Sequence, residues 1–154
     1  MKLEEAIQSS RFTDEKHKAA LNIMYTAYAL KNSLSTVIKP DDLTIEQYNV
    51  MRILKGKHPQ AMCVKDIGGR MIEKSSNVPR IIDRLVVKKL VKRSTSKIDK
   101  RETLMLLTDR GIALLAKTTV LIDKVHNEIG LNESEAKLLN ELLEKVRTKT
   151  GNEE

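Results

Sequence analysis

Residues 75–107 read SSNVPRIIDRLVVKKLVKRSTSKIDKRETLMLL, and this stretch decides the fold. Its first part has helical spacing, with Ile82 and Leu85 on the apolar side. Its second part changes to two short β-like runs, Leu90–Thr95 and Glu102–Leu107, around a polar and basic turn. This order predicts a capped helix followed by a β-hairpin with an exposed tip.

Amphipathic helical segments surround this stretch on both sides. Apolar spacing and capping patterns predict helices over 14–38, from Thr44 to Gly56, over 64–71, over 109–129, and from Asn132 to about Arg147. The fold class is therefore mainly α with a small β-hairpin, an α+β arrangement. A short helix, a turn and a capped helix in succession are typical of a helix-turn-helix.

The positive charge of the chain is concentrated in its middle third. The 154 residues carry a formal net charge of +7. Residues 52–102 contain 15 Lys and Arg against 5 Asp and Glu, a net charge of +10, which leaves −3 for the rest. All Phe and Tyr residues lie outside this basic segment, so stacking on single strands is disfavoured and contact with duplex phosphates is favoured.

Other classes of protein lack support in the sequence. The lone Cys63, flanked by apolar residues, cannot form an internal disulfide and is interpreted as a structural residue rather than a redox sensor. We find no signal-peptide pattern and no apolar run of membrane-spanning length, and expect a cytoplasmic protein that does not interact with membranes. Without a nucleophile cluster, a phosphate-binding glycine loop or metal-ligand spacing, we expect no enzyme, cofactor or metal.

Polar and basic residues at the start of the capped helix are the candidate contacts to a major groove. Ser75, Ser76 and Asn77 are short enough to let the helix N-terminus approach DNA, and backbone N–H groups there can bind a phosphate. Arg80 and Arg84, four residues apart, share a helix face and can reach a base edge or a phosphate. Simple capping and a solvated helix face remain the alternative explanations.

The hairpin tip provides a second set of candidate DNA contacts. Lys97, Lys100 and Arg101 can reach a minor groove beside the occupied major groove. Asp99 would be repelled by phosphates, so we expect it to hold Arg101 or to cap the turn. An ordinary charged turn is the alternative explanation. Against it, the candidate contacts of the capped helix and those of the hairpin tip follow one another within one basic segment, in the order that DNA binding by a helix and a hairpin requires.

These residues resemble the MarR family of winged-helix transcriptional regulators. The resemblance rests on Ser76–Leu85, Lys88–Arg93, Asp99-Lys100-Arg101 and Leu107-Thr108-Asp109-Arg110-Gly111. It implies a winged helix-turn-helix DNA-binding domain over 41–108. It also implies an N-terminal dimerisation helix within 1–40 and C-terminal dimerisation helices within 109–154.

Two positions depart from the family pattern. Lys89 stands where the family commonly has Gly before the first wing strand, which predicts a left-handed and mildly strained backbone at this lysine. Pro79 stands where Ser or Thr is usual, so one hydroxyl contact to DNA is lost. The base preference at that point is therefore open.

The resemblance further implies a homodimeric repressor that binds a pseudo-palindromic operator and is relieved by a small phenolic or anionic aromatic ligand. Met24, Tyr28, Tyr48 and Met51 are the candidate pocket residues, with an ordinary core role as the alternative. Two rival functions stay open at this point. One is a winged-helix module for protein–protein interaction, and the other is a non-specific architectural DNA binder.

Overall fold

The computed structural model describes residues 1–73, 77–96, 100 and 102–150, and most of them are helical. The elements in chain order are α1 (Leu3–Ala6), α2 (Glu15–Ile38), a 3-10 turn (Lys39–Asp41), α3 (Ile45–Lys55), β1 (Met62–Cys63), α4 (Val64–Gly69), α5 (Val78–Val87), β2 (Val91–Thr95), β3 (Thr103–Leu107), α6 (Asp109–Asn127) and α7 (Glu133–Thr150). This mainly helical fold with a small sheet confirms the predicted class.

The helix starts follow the predicted capping chemistry. Asp14 caps α2 by accepting a hydrogen bond from the His17 N–H at 2.7 Å. Thr44 and Gln47 form the reciprocal capping box that opens α3. A second capping box, between Asn132 and Glu135, opens α7.

Several element bounds differ from the prediction. The short α4 ends at Gly69 rather than residue 71, α6 ends at Asn127 rather than residue 129, and α7 continues to Thr150. Helix α1 and strand β1 were not predicted, because neither four residues nor two residues are long enough to show a periodicity.

The predicted hairpin is present and forms most of a three-stranded antiparallel sheet. The strand order is β1-β3-β2, and the β2–β3 register runs from Val91 opposite Leu107 to Thr95 opposite Thr103. The pairing continues toward the tip, where the Ser96 N–H donates to the Glu102 carbonyl at 3.0 Å. Strand β1 adds Met62 opposite Met105 on the other edge of β3.

A left-handed residue turns the chain from α5 into the hairpin. Lys89 has φ 58°, as its place in the family pattern predicted. Its N–H donates to the Val86 carbonyl at 2.9 Å, and the Leu90 N–H donates to the Leu85 carbonyl at 3.0 Å. These two hydrogen bonds are a Schellman motif, which ends a helix and fixes the direction of the following strand.

The start of α6 is fastened to the same turn. The Thr108 hydroxyl donates to the Lys89 carbonyl at 2.8 Å and accepts from the Gly111 N–H at 3.0 Å, while the Thr108 N–H donates to the Leu90 carbonyl at 3.1 Å. At Gly111 a Cβ atom would overlap the Leu90 carbonyl oxygen and lie 3.1 Å from its carbon. The Leu-Thr-x-x-Gly pattern is therefore a packing requirement, since this approach leaves no room for a side chain.

The chain divides into two compact units, Met1–Ile122 and Asp123–Glu154. In the first unit one apolar core joins α3, α4, α5 and the sheet. Its fully buried large side chains include Ile38, Met51, Leu54, Ile67, Ile82, Leu85 and Met105. The second unit consists mainly of α7, which leaves apolar side chains exposed at Leu138, Leu139, Leu142 and Val146.

Candidate nucleic-acid interface

Helix α5 buries one side against the core and exposes the other. Val78, Ile82 and Leu85 are at most 3% exposed, whereas Arg80 and Arg84 lie on the exposed side. Neither arginine has an ion pair or hydrogen bond to another described residue, so both guanidinium groups keep their donors for an external acceptor. The structure therefore places the predicted pair on one accessible helix face.

Three short polar residues were predicted at the N-terminus of α5, and the structure describes one of them, Asn77. The helix begins at Val78, with the exposed Asn77 at its N-cap position and Pro79 in its first turn. The proline is tolerated there because the first-turn N–H has no intrahelical partner. Ser75 and Ser76 lie outside the described residues.

Of the four residues predicted at the tip of the wing, the structure describes Lys100. Lys100 is exposed at the tip of the hairpin, between the paired Ser96 and Glu102. Lys97, Asp99 and Arg101 lie outside the described residues. Their role in DNA contact therefore stays a prediction.

An ion pair ties the exposed face of α5 to the sheet. The Arg93 guanidinium on β2 contacts the Asp83 carboxylate on α5, and both side chains are about half exposed. A pair this exposed contributes at most about 1 kcal/mol to stability. Its larger effect is electrostatic, because Arg93 offsets the negative charge of Asp83, the acidic residue of α5, beside Arg80 and Arg84.

Lys88 has an internal task despite its place in the basic segment. Its ammonium group contacts the Asp42 carbonyl, the Asp42 Oδ2 at 3.0 Å and the Gln47 Oε1 at 3.2 Å. These three acceptors match the three protons of an ammonium group. Lys88 thereby connects the end of α5 to the junction between α2 and α3 instead of offering its charge to DNA.

Cys63 is half-buried and serves as the N-cap of α4. Its sulfur accepts a hydrogen bond from the Asp66 N–H at 3.4 Å. The structural role expected for Cys63 is therefore helix capping. Its side chain is only half-buried, although the apolar residues on either side of it had suggested full burial. Among the described residues no three His, Cys, Asp or Glu side chains are grouped as metal ligands would be.

A cavity of about 350 Å³ lies between α2, α3 and the segment that follows α4. Its walls are mostly apolar, with Tyr28, Leu34, Ile45 and Met71 among the lining residues. Of the described residues that were predicted to line a pocket, Tyr28 does so. The other three do not join it: Met24 is 68% exposed on α2, and Tyr48 and Met51 are buried in the core.

Tyr48 and Met51 are core residues for a physical reason. Met51 is fully buried, and the Tyr48 hydroxyl shares a hydrogen bond of 3.2 Å with the Thr119 hydroxyl on α6. This partner satisfies the phenol, so the ring can stay inside the core. Spacing along α3 alone could not distinguish the buried side of the helix from a ligand pocket.

A three-residue ion cluster contributes the charged side chains of this cavity's wall, and sequence reasoning did not predict it. The Lys31 ammonium lies 2.6 Å from the Glu73 carboxylate and 3.1 Å from the Glu46 carboxylate. The hydrogen bond that Lys31 donates to Glu73, followed by the one that it donates to Glu46, raises the pKa of Lys31. The three residues come from separate segments, so no local motif could have revealed them.

The carboxylate of Glu46 also stays ionised. Partial burial pushes the pKa of Glu46 upward, but hydrogen bonds with its own backbone, Lys31 and Thr44 outweigh burial and leave the pKa below its ordinary value. The cluster of Lys31, Glu46 and Glu73 contains two carboxyl groups and one ammonium group, a formal net charge of −1.

Comparison with known proteins now identifies the family. A sequence profile of the MarR family matches residues 43–103. The HTH-type transcriptional regulator MgrA of Staphylococcus aureus is 32% identical over 110 residues, which are 71% of this chain and 74% of MgrA. The chain belongs to the MarR family. As a MarR-family transcriptional regulator it is a DNA-binding protein and not an enzyme, which confirms both predictions.

Solved structures of MarR-family proteins share the fold. A variant of E. coli MarR in complex with operator DNA has a TM-score of 0.78 and 25% identity, over 89% of this chain and 99% of that chain. The S. aureus MepR–DNA complex has a TM-score of 0.78 and 21% identity, over 90% of this chain and 99% of that chain. Within the described ranges, no helix is both long enough and apolar enough to cross a membrane.

Proposed function

We propose that this MarR-family chain is a homodimeric, sequence-specific repressor whose operator binding is relieved by a small molecule. Two copies of α5 would enter successive major grooves about 10 base pairs apart on a pseudo-palindromic site. The two wings, including Lys97, Lys100 and Arg101, would reach the flanking minor grooves. The protein would act in the cytoplasm on chromosomal operators.

The observation that carries this proposal is the arginine pair on the exposed face of α5, since neither Arg80 nor Arg84 has an ion pair or hydrogen bond to another described residue. A bidentate arginine can hold guanine O6 and N7, and an arginine fork also suits a phosphate. A module for protein–protein contact has no need to keep Arg80 and Arg84 uncompensated beside a basic hairpin. The geometry therefore favours duplex DNA as the partner.

Exposed apolar side chains support the dimer. On α7, Leu138, Leu142 and Val146 recur every four residues and are 44–56% exposed. On α2, Met24 and Tyr28 are also four residues apart and are 68% and 66% exposed. Contiguous apolar stripes of this kind are typical of surfaces that another chain covers. These helices support the division into dimerisation segments, 1–40 and 109–154, around a DNA-binding domain at 41–108.

The cavity beside α2 supports relief by a small molecule. It is lined by residues of α2, which lies outside the proposed DNA-binding domain, and by Met71–Glu73, which precede α5 by a few residues. A molecule bound there would contact both the proposed dimerisation helix and the entry to the reading helix. If α5 can occupy two positions and the ligand binds one of them more tightly, ligand binding increases the fraction of molecules with α5 in that position.

Selection of bound duplexes from a random pool is the direct test. A two-fold symmetric motif with half-sites about one helical turn apart is the expected result. Equal affinity for selected and random duplexes would support the architectural rival. Absence of salt-dependent binding to any duplex would support the protein–protein rival, because phosphate contacts release counterions.

The wing assignment has its own test in the Arg101→Ala variant. We expect the affinity for the selected operator to fall by roughly 1–3 kcal/mol while the dimer stays intact. Lys57→Ala is the matched control, because Lys57 is an exposed lysine on the turn after α3 and its loss removes the same charge. An operator affinity equal to that of the parent protein would show that the wing assignment is wrong.

A further inference from the structure

The charged wall of the cavity contains more carboxylate than ammonium. Lys31, Glu46 and Glu73 are the charged residues among those that line it. The single ammonium group already lies within 3.1 Å of both carboxylates. The three groups have a formal net charge of −1, and Lys31 already directs two of its three N–H donors to the carboxylates.

The rest of the wall suits the apolar body of a ligand. Leucine, isoleucine, methionine and tyrosine side chains contribute most of its surface, from Leu30, Leu34, Ile45, Met71 and Tyr28. Tyr28 is one of the lining residues, so its ring borders the cavity. The face of an aromatic ring attracts cations, especially those with weakly hydrated charge.

We propose that this cavity binds a small lipophilic cation, with Glu73 and Glu46 as its counter-ions and Tyr28 as an aromatic contact. The proposal deepens the proposed function, because it names the chemical class of the effector. It differs from the anionic aromatic ligand that the family resemblance implies. An anion would lie beside two carboxylates that outnumber the one ammonium group, whereas a cation complements the net negative charge of the cluster.

Burial of the cluster strengthens this selectivity. The side chains of Lys31 and Glu46 are 42% and 32% exposed, so solvent screens their charges only in part. Glu73 is 61% exposed and lies at the mouth. The pKa of Lys31 is raised and that of Glu46 is lowered, so the balance of charge persists across the neutral range.

Three probes with one benzyl group and different charge test the proposal on the full-length protein. They are benzyltrimethylammonium, its uncharged isostere neopentylbenzene, and the anion phenylacetate. Binding is followed by NMR of protein labelled with ¹³C-methyl methionine. The Met71 methyl lies at the cavity and reports binding. The Met105 methyl is buried on β3 and is not among the lining residues, so it serves as an internal control.

We expect the Met71 signal to shift saturably, with a half-saturating concentration at least about 5-fold lower for the cation than for phenylacetate. Glu73→Gln should reduce this ratio to below about 2-fold, and Glu46→Gln should reduce it as well. Glu15→Gln removes an equal charge at the exposed first residue of α2, which is not among the lining residues, and should leave the ratio unchanged. These effects correspond to loss of one counter-ion beside a bound cation.

Phenylacetate binding equal to or tighter than cation binding would overturn the proposal. So would a cation preference that survives Glu73→Gln, or a Met71 methyl that no probe shifts. The titrations contain no DNA, so these outcomes are independent of the duplex selection. A protein that binds the cation but no operator would instead refute the proposed function.

Discussion

Among the described glycines, Gly111 lies closest to neighbouring backbone, and we expect Gly111→Ala to destabilise the fold strongly. A methyl group at this position would overlap the Leu90 carbonyl oxygen and crowd the Leu107 side chain at 3.2 Å. The carbonyl cannot move freely, because it accepts a hydrogen bond from the Thr108 N–H and a longer one of 3.2 Å from its hydroxyl. The alanine therefore forces either α6 or the α5–β2 turn to shift.

The magnitude follows from the contacts that the shift breaks. Overpacking costs roughly 1–3 kcal/mol, and loosening the hydrogen bonds to Leu90 costs roughly 0.5–1.5 kcal/mol each. The better helix propensity of alanine returns about 1 kcal/mol. We expect Gly111→Ala to lower the free energy of unfolding by about 3 kcal/mol, a large fraction of the roughly 5–15 kcal/mol of a typical domain.

Urea unfolding followed by circular dichroism measures this effect. With a urea dependence of roughly 2 kcal/mol/M, the midpoint should fall by about 1.5 M. All variants must be compared at one protein concentration, because dimerisation contributes to the apparent stability. Gly69→Ala is the control: nothing lies within 4 Å of a Cβ there, so its stability should stay equal or rise by up to about 1 kcal/mol. A loss below about 1 kcal/mol for Gly111→Ala would refute the packing argument.

Three further substitutions probe the junctions and the ion cluster. Lys89→Gly should stabilise the fold by about 1 kcal/mol in thermal or urea unfolding, because the left-handed backbone at φ 58° strains a lysine but not a glycine; a destabilised variant would contradict this. Thr108→Ala should cost about 1–2 kcal/mol through loss of the α6 cap, while Thr108→Ser should stay within about 0.5 kcal/mol of the parent, and equal losses for both would exclude the hydroxyl as the cause. Glu46→Gln tests how protonation of Glu46 is linked to folding. The pKa of Glu46 is lowered in the folded state, so the Glu46 carboxylate contributes to the free energy of unfolding at pH values above its ordinary pKa of 4.5. That contribution is lost as the pH falls below 4.5 and through the lower pKa of the folded state. Unfolding from pH 6 to pH 3 should therefore show a smaller acid-induced loss of stability for this variant than for the parent protein.

The sequence by itself determined the parts of this protein that depend on neighbours along the chain. The helices were predicted from the periodicity of apolar residues and from capping boxes. The hairpin was predicted from the change from helical to alternating spacing. The resemblance to the family, in which this position is commonly Gly, predicted a left-handed residue at Lys89, and the spacing of Arg80 and Arg84 four residues apart predicted a shared exposed face. Each of these features is local, because a helix turn or a β-turn is set by residues within a few positions of one another.

Tertiary structure alone decided the features that join distant segments. Lys31, Glu46 and Glu73 span 42 residues, and nothing in their local spacing indicates that they meet. The internal use of Lys88, the core position of Met51 and the strand β1 likewise depend on which faces pack together. Periodicity specifies that a helix has an apolar side, but only packing determines which partner covers it and where a cavity stays open.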